Sequence, residues 1–168
     1  MQTDLGDLYY VKNVAMGGET LPDMITQGAA QVDAIFDASK ENVAFLEGGT
    51  NDISAGRTPQ QIHDDTKTWC LARKAAGYQV ILFSLPIFYC AGASCISREA
   101  IRQETNALIA ADWADYADAY IDLDTLDMYP DYPGPYDPTL FVDGLHPTSA
   151  GTAILAGAAQ VALAGLIP

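Results

Sequence analysis

Four short apolar runs, separated by stretches with helical spacing, constrain this chain more than any other feature. The runs are Tyr9–Met16, Val43–Glu47, Gln79–Leu85 and Ala119–Leu123. Near-continuous apolar runs of this length fit strands buried on both faces. Four helix-like segments alternate with them. The first follows Thr20, with Pro22 near its start and Asp23 three residues on. The second has Thr58 as N-cap, Pro59 in its first turn and Gln61 completing a capping box. It carries Ile62, Trp69 and Cys70 toward one face. The third begins near Ser97 and carries Ile101, Thr105 and Leu108 at helical spacing. The last follows Pro147, with Ser149 as its cap. Strands joined by helices of this length pair in parallel through right-handed crossovers. The expected fold class is therefore α/β in three layers, with the parallel sheet in the middle.

The 168 residues are the length of one domain, and no repeat or linker divides them. Lys plus Arg number 8 against 22 Asp plus Glu, a formal charge of −14. Such a surface repels phosphate backbones and anionic headgroups, so neither nucleic acid nor membrane is an expected partner. Ala153–Ile167 is apolar but shorter than the roughly 20 residues of a span, and reads as a buried terminal helix. Cys90 and Cys95 enclose Ala-Gly-Ala-Ser. A disulfide there and two free thiols are equally open readings, and secretion is the compartment that a disulfide would fit. Cys70, between Trp69 and Leu71, reads as a small core residue. No Cys/His spacing suggests a metal.

In open parallel sheets ligands bind beyond the C-terminal ends of the strands. Three constellations fall there. Gly48-Gly49-Thr50-Asn51-Asp52 follows the second run. Its glycines permit a sharp turn, Asn51 offers an amide, and Asp52 can pin the turn. Asn13-Val14-Ala15-Met16-Gly17-Gly18 ends the first run, and its glycine N–H groups can face an oxyanion. Asp143-Gly144-Leu145-His146-Pro147 sets an Asp three residues before a His. That Asp can accept from Nδ1–H and leave Nε2 as a base. Each pattern also has an ordinary reading: a strand-to-loop turn, a glycine connector, an exposed histidine beside a capping Asp. His63 lies between Gln61 and Asp64 in a helix and reads as a surface residue.

Together, Asn13…Gly18, the quartet Gly49-Thr50-Asn51-Asp52 and Asp143-x-x-His146-Pro147 resemble the SGNH, or GDSL-type, hydrolase family. The resemblance covers almost the whole chain. It implies a flavodoxin-like sheet of order 2-1-3-4-5 and an esterase, lipase, thioesterase or carbohydrate deacetylase activity. It implies Gly18 and Asn51 as oxyanion donors, His146 as base and Asp143 as its orienter, with Gly49 and Asp52 in support. No cofactor is implied. The substrate class would be a small neutral ester or an acetylated carbohydrate.

One departure is large. The family's serine belongs to a Gly-Asp-Ser motif on a strand before the Asn13–Gly18 block, and no such motif occurs here. Gly6-Asp7-Leu8 has Leu in the serine's place. Ser54 and Ser84 stand on no strand-to-helix elbow. The expectation is an N-terminally truncated ester hydrolase of very low activity. A non-catalytic binding module and a half-enzyme completed by another chain are the alternatives. With the family's central first strand missing, the bared edge would favour a homodimer. Tyr129, Tyr132 and Tyr136, in the Pro-rich stretch Asp127–Phe141, are candidates to line a pocket or to pack on the core.

Overall fold

Three of the four apolar runs pair into a sheet. In the computed structural model, which describes residues 9–87, 93–128 and 136–167, they form β1 (Val43–Leu46), β2 (Gln79–Phe83) and β3 (Ala119–Ile121). The strands are parallel in the order β1-β2-β3, with Val43 opposite Gln79 and Ile81 opposite Ala119. Each is shorter than the apolar run that carries it, because the last residues leave the ladder to start loops. Asn106 shows how such an exit is held: it accepts from the Leu85 N–H and donates to the Leu85 carbonyl, so the segment after β2 needs no strand neighbour.

Tyr9–Met16, expected as a strand, forms none. Lys12 and Asn13 interrupt its apolar pattern, and the Asn13 side chain accepts from the Ala15 N–H. Such a local bond competes with a ladder. A strand also needs a neighbour, and this segment has no pairing partner among the described residues. The outer edge of β1 is consequently unpaired among the described residues.

Among the described residues, five α-helices flank the sheet: α1 (Leu21–Gln31), the short α2 (Thr50–Ser54), α3 (Pro59–Ala75), α4 (Ala93–Asp112) and α5 (Ser149–Leu166). The capping box read at Thr58/Gln61 forms, and at the start of α1 the Thr20 N–H and hydroxyl both donate to Asp23 Oδ2. α4 begins four residues before the expected Ser97, since Ala93-Ser94-Cys95-Ile96 contains no helix breaker. α5 is capped by the Thr148 side chain, which accepts from the Gly151 N–H; Ser149 is its first residue, not its cap.

The period of two along each strand divides the core. Ala44, Leu46, Val80 and Leu82 join Leu21, Ile62, Trp69, Cys70 and Ile109 of α1, α3 and α4. Ile81, Phe83 and Ile121 face the other way and pack with Leu163 and its neighbours on α5. Cover is uneven. α5 lies over β2 and β3, whereas Phe45 on β1 touches Phe83 and stays 43% exposed. α5 is long and apolar enough, by length and composition, to cross a membrane, and it is not the buried terminal helix expected: only its Gly151 and Leu163 are buried.

His63 is buried, contrary to its reading as a surface residue. It shares a helical stripe with Ile62, Thr66, Trp69 and Cys70, and a ring nitrogen lies 2.8 Å from an Asp112 carboxylate oxygen. A distant partner made the position habitable, and the flanking residues do not reveal it. Cys70 is a core residue, and burial pushes its thiol up to about 12. Cys90, and the side chain of Cys95, lie outside the described residues, as do Tyr129 and Tyr132.

Candidate active site

The end of β1 supplies the first part of the site. Gly49 takes φ +104° and leads directly into α2. A Cβ there would lie 3.0 Å from Leu85 and 3.1 Å from Ile62, so only glycine satisfies both the backbone and the space. The turn delivers Asn51 and Asp52 on the first turn of α2. Asn51 Nδ2 donates to the Glu19 carbonyl at 2.8 Å, which occupies one of its two amide hydrogens.

Asp52 is fully buried. The sequence suggested that it pins its own turn; instead it reaches 31 residues back and accepts from the Leu21 N–H at 2.9 Å. It therefore satisfies an orphan donor at the start of α1. Arg57 Nε lies 3.1 Å from its other oxygen, and Arg57 also pairs with Asp65. Burial raises the Asp52 carboxyl above the usual range, against the opposing effects of Leu21 and Arg57. Arg57 and Glu19 are the members of this cluster that the sequence reading did not single out. The available signal was an acidic residue directly after a Gly-Gly pair.

The second part is the loop before α1. Gly18 has φ +88°, the left-handed region that favours glycine. It is exposed. The bonds Asn51–Glu19 and Asp52–Leu21 clamp this loop to the β1–α2 turn, so Gly18 and Asn51 are held by the same pair of contacts.

The third part is the turn before α5. Asp143 Oδ1 accepts from the backbone N–H of Leu145 and of His146, at 3.1 and 2.8 Å. Its Oδ2 lies 2.8 Å from His146 Nδ1. These hydrogen bonds, the His146 backbone first among them, hold the Asp143 carboxyl down at about 2. The imidazole is 73% exposed. Val142 N–H donates to the His146 carbonyl at 2.8 Å, and Gly144 takes φ +85° to let the chain reverse. Leu145 packs against the same apolar cluster as Leu21 and Ile53, which flank the clamp.

Neither alternative serine is placed as a nucleophile. Ser84 is 1% exposed, and its Oγ accepts from the Leu123 N–H at 2.8 Å. Ser54 sits at the exposed end of α2, with its Oγ 3.4 Å from the Thr50 carbonyl. Among the described residues no three His, Cys, Asp or Glu side chains are grouped to hold a metal ion.

The described strands form a parallel sheet in the order β1-β2-β3 with helices packed on both faces, an α/β fold. The chain belongs to the GDSL-like lipase/acylhydrolase family, whose model matches residues 1–154. It is similar in structure to a GDSL-like lipase from Bacteroides thetaiotaomicron, at TM-score 0.69 and 21% identity over 89% of this chain and 73% of that one. It is also similar to the acetylxylan esterase Axe2 from Geobacillus stearothermophilus, at TM-score 0.60 and 18% identity over 84% and 66% of the two chains. A third likeness is to the psychrotrophic esterase EstA from a Pseudoalteromonas species, at TM-score 0.59 and 14% identity over 89% and 73%. Identities this low bear on the fold alone. No curated protein matches the chain in sequence.

Proposed function

We propose that this chain carries the oxyanion-binding and proton-transfer parts of a carboxylic ester hydrolase. The observation that carries the reading is the Asp143–His146 pair. Asp143 engages Nδ1 at 2.8 Å, which fits an imidazole presenting Nε2 as the base. The Gly18 N–H and the second amide hydrogen of Asn51 are the proposed donors to the oxyanion of a tetrahedral intermediate. Gly49 and Asp52 hold those donors in place. The proposed substrates are small neutral esters or acetylated carbohydrates, since the chain carries a formal charge of −14.

The 168 residues contain no Gly-Asp-Ser motif. Loss of a triad nucleophile costs on the order of 10⁶ in kcat, and the remaining machinery retains about 10³–10⁴ over water. The chain by itself is therefore expected to be nearly inert toward p-nitrophenyl acetate. Any part of its residual rate that needs a general base should be lost in His146→Ala, leaving the part that the oxyanion donors supply. Turnover in the usual enzyme range of about 1–10³ s⁻¹, lost on Ser54→Ala or Ser84→Ala, would overturn this reading and make that serine the nucleophile.

A second reading is favoured by the unpaired edge of β1 and the half-bare Phe45 beside it. Here a second copy of the chain covers that edge, as a two-fold axis permits. Light scattering tests it: a mass near twice 17.9 kDa supports it, and a single 17.9 kDa species at micromolar concentration with a cooperative melt defeats it.

A further inference from the structure

We propose that Glu19 is a positioning residue for the anion-binding pair Gly18 and Asn51, acting through the turn that aims the Gly18 N–H. The inference rests on the reading of those two residues as oxyanion donors.

Met16–Glu19 is a four-residue turn closed by Glu19 N–H donating to the Met16 carbonyl. Gly18 occupies its third position with φ +88°, the conformation that a type II turn demands there. The Gly17–Gly18 peptide carries the N–H in question and forms the middle of this turn. Among the described residues, a Cβ built on either glycine would meet no atom within 4 Å. Two adjacent glycines also give the backbone its greatest freedom to rotate. The direction of the Gly18 N–H therefore depends on how firmly the turn is closed at its ends.

The backbone closure alone is long, at 3.4 Å, where about 2.9–3.0 Å is usual. Glu19 supplies a second closure in the opposite sense: its Oε2 accepts from the Met16 N–H at 3.2 Å. The same residue's backbone carbonyl takes one amide hydrogen of Asn51 at 2.8 Å and leaves the other to face a ligand. One residue thus orients both donors.

Burial does not explain the choice of side chain. Glu19 is only 8% exposed, and its Oε1 has no hydrogen-bond partner among the described residues. An alkyl side chain would fill that space without a buried polar atom left over. The carbonyl contact to Asn51 needs no particular side chain. What the carboxyl group adds is the bond to Met16.

The test uses the ¹⁵N-labelled full chain, with methylphosphonate as a tetrahedral anion, read from the Gly18 amide and the Asn51 side-chain resonances. In the unmodified protein both should move on titration. Glu19→Met keeps the bulk and removes the acceptor, and should weaken binding about five- to tenfold. Glu19→Gln retains a carbonyl acceptor for Met16 and should restore it. Protection of the Leu21 N–H, bonded to Asp52, reports whether the fold is intact in each variant. Equal binding by Glu19→Met and the parent overturns the proposal. So does an intact Glu19→Gln as weak as Glu19→Met. If Glu19→Met fails to fold, the Met16 N–H of the parent decides: slow exchange supports the closure and free exchange refutes it. If neither reporter moves in the parent, the oxyanion reading itself fails.

Discussion

Asp52 and Asp143 are both aspartates beside a turn, and both accept backbone N–H groups, yet they are held in opposite ways. Asp52 is fully buried, and its partners, Leu21 and Arg57, lie on other elements. Asp143 is half exposed, and its partners are two and three residues away. Burial raises the first carboxyl; local N–H donors lower the second to about 2. The Gly18–Asn51 side of the site therefore exists only when α1 is docked on α2. The Asp143–His146 turn is self-contained. Damage to the first side should register as lost stability, and damage to the second as lost chemistry with the fold unchanged.

The largest effect is expected at Gly49. Gly49→Ala combines a left-handed backbone with contacts at 3.0–3.1 Å on Leu85 and Ile62, and should cost about 2–5 kcal/mol in urea unfolding. Asp52→Ala strands the Leu21 N–H and leaves the Arg57 guanidinium with Asp65 alone, and should cost about 2–4 kcal/mol by the same measurement. Asp143→Ala removes only local bonds to an exposed carboxylate and should shift the unfolding midpoint less than Asp52→Ala does. Matching losses in the two aspartate variants would abolish the contrast. Gly18→Ala sharpens it. Its φ is also left-handed, but a Cβ there meets no neighbour, so the cost should be about 1–2 kcal/mol, below that of Gly49→Ala.

The smallest effect is a pH dependence confined to one turn. The Asp143 carboxyl is more acidic in the folded turn than its ordinary value of 3.8. Its contribution is then fully present above that ordinary value and is lost as pH falls through about 2. The Leu145 and His146 amide resonances should shift with a midpoint near 2. A midpoint at 3.8 would mean that the bonds to Asp143 do not form in solution.

Local patterns were legible wherever the physics is local. The capping box at Thr58/Gln61 joins residues three apart, and it forms. The Asp143-x-x-His146 spacing places its two side chains within a single turn, and they meet. Three apolar runs, at Val43, Gln79 and Ala119, became parallel strands in chain order. The first run, Tyr9–Met16, did not. Its apolar composition was real, but a strand is a relation between two segments, and no neighbour pairs with this one.

His63 and Asp52 mark the other limit. Their neighbours in sequence are polar or glycine-rich, and both side chains are buried because a partner arrives from 49 and 31 residues away. No window of sequence contains those pairs. The sequence by itself determined the α/β alternation, the starts of α1 and α3 and the self-contained His146 turn, since each follows from period, capping and short-range hydrogen bonding. Only the tertiary structure decided that β1 keeps an open edge among the described residues, that Asp52 joins α2 to the start of α1, and that Gly18 and Asn51 are held by one clamp. Those facts depend on which surfaces meet, and contacts between distant segments are set by the packing of the whole chain.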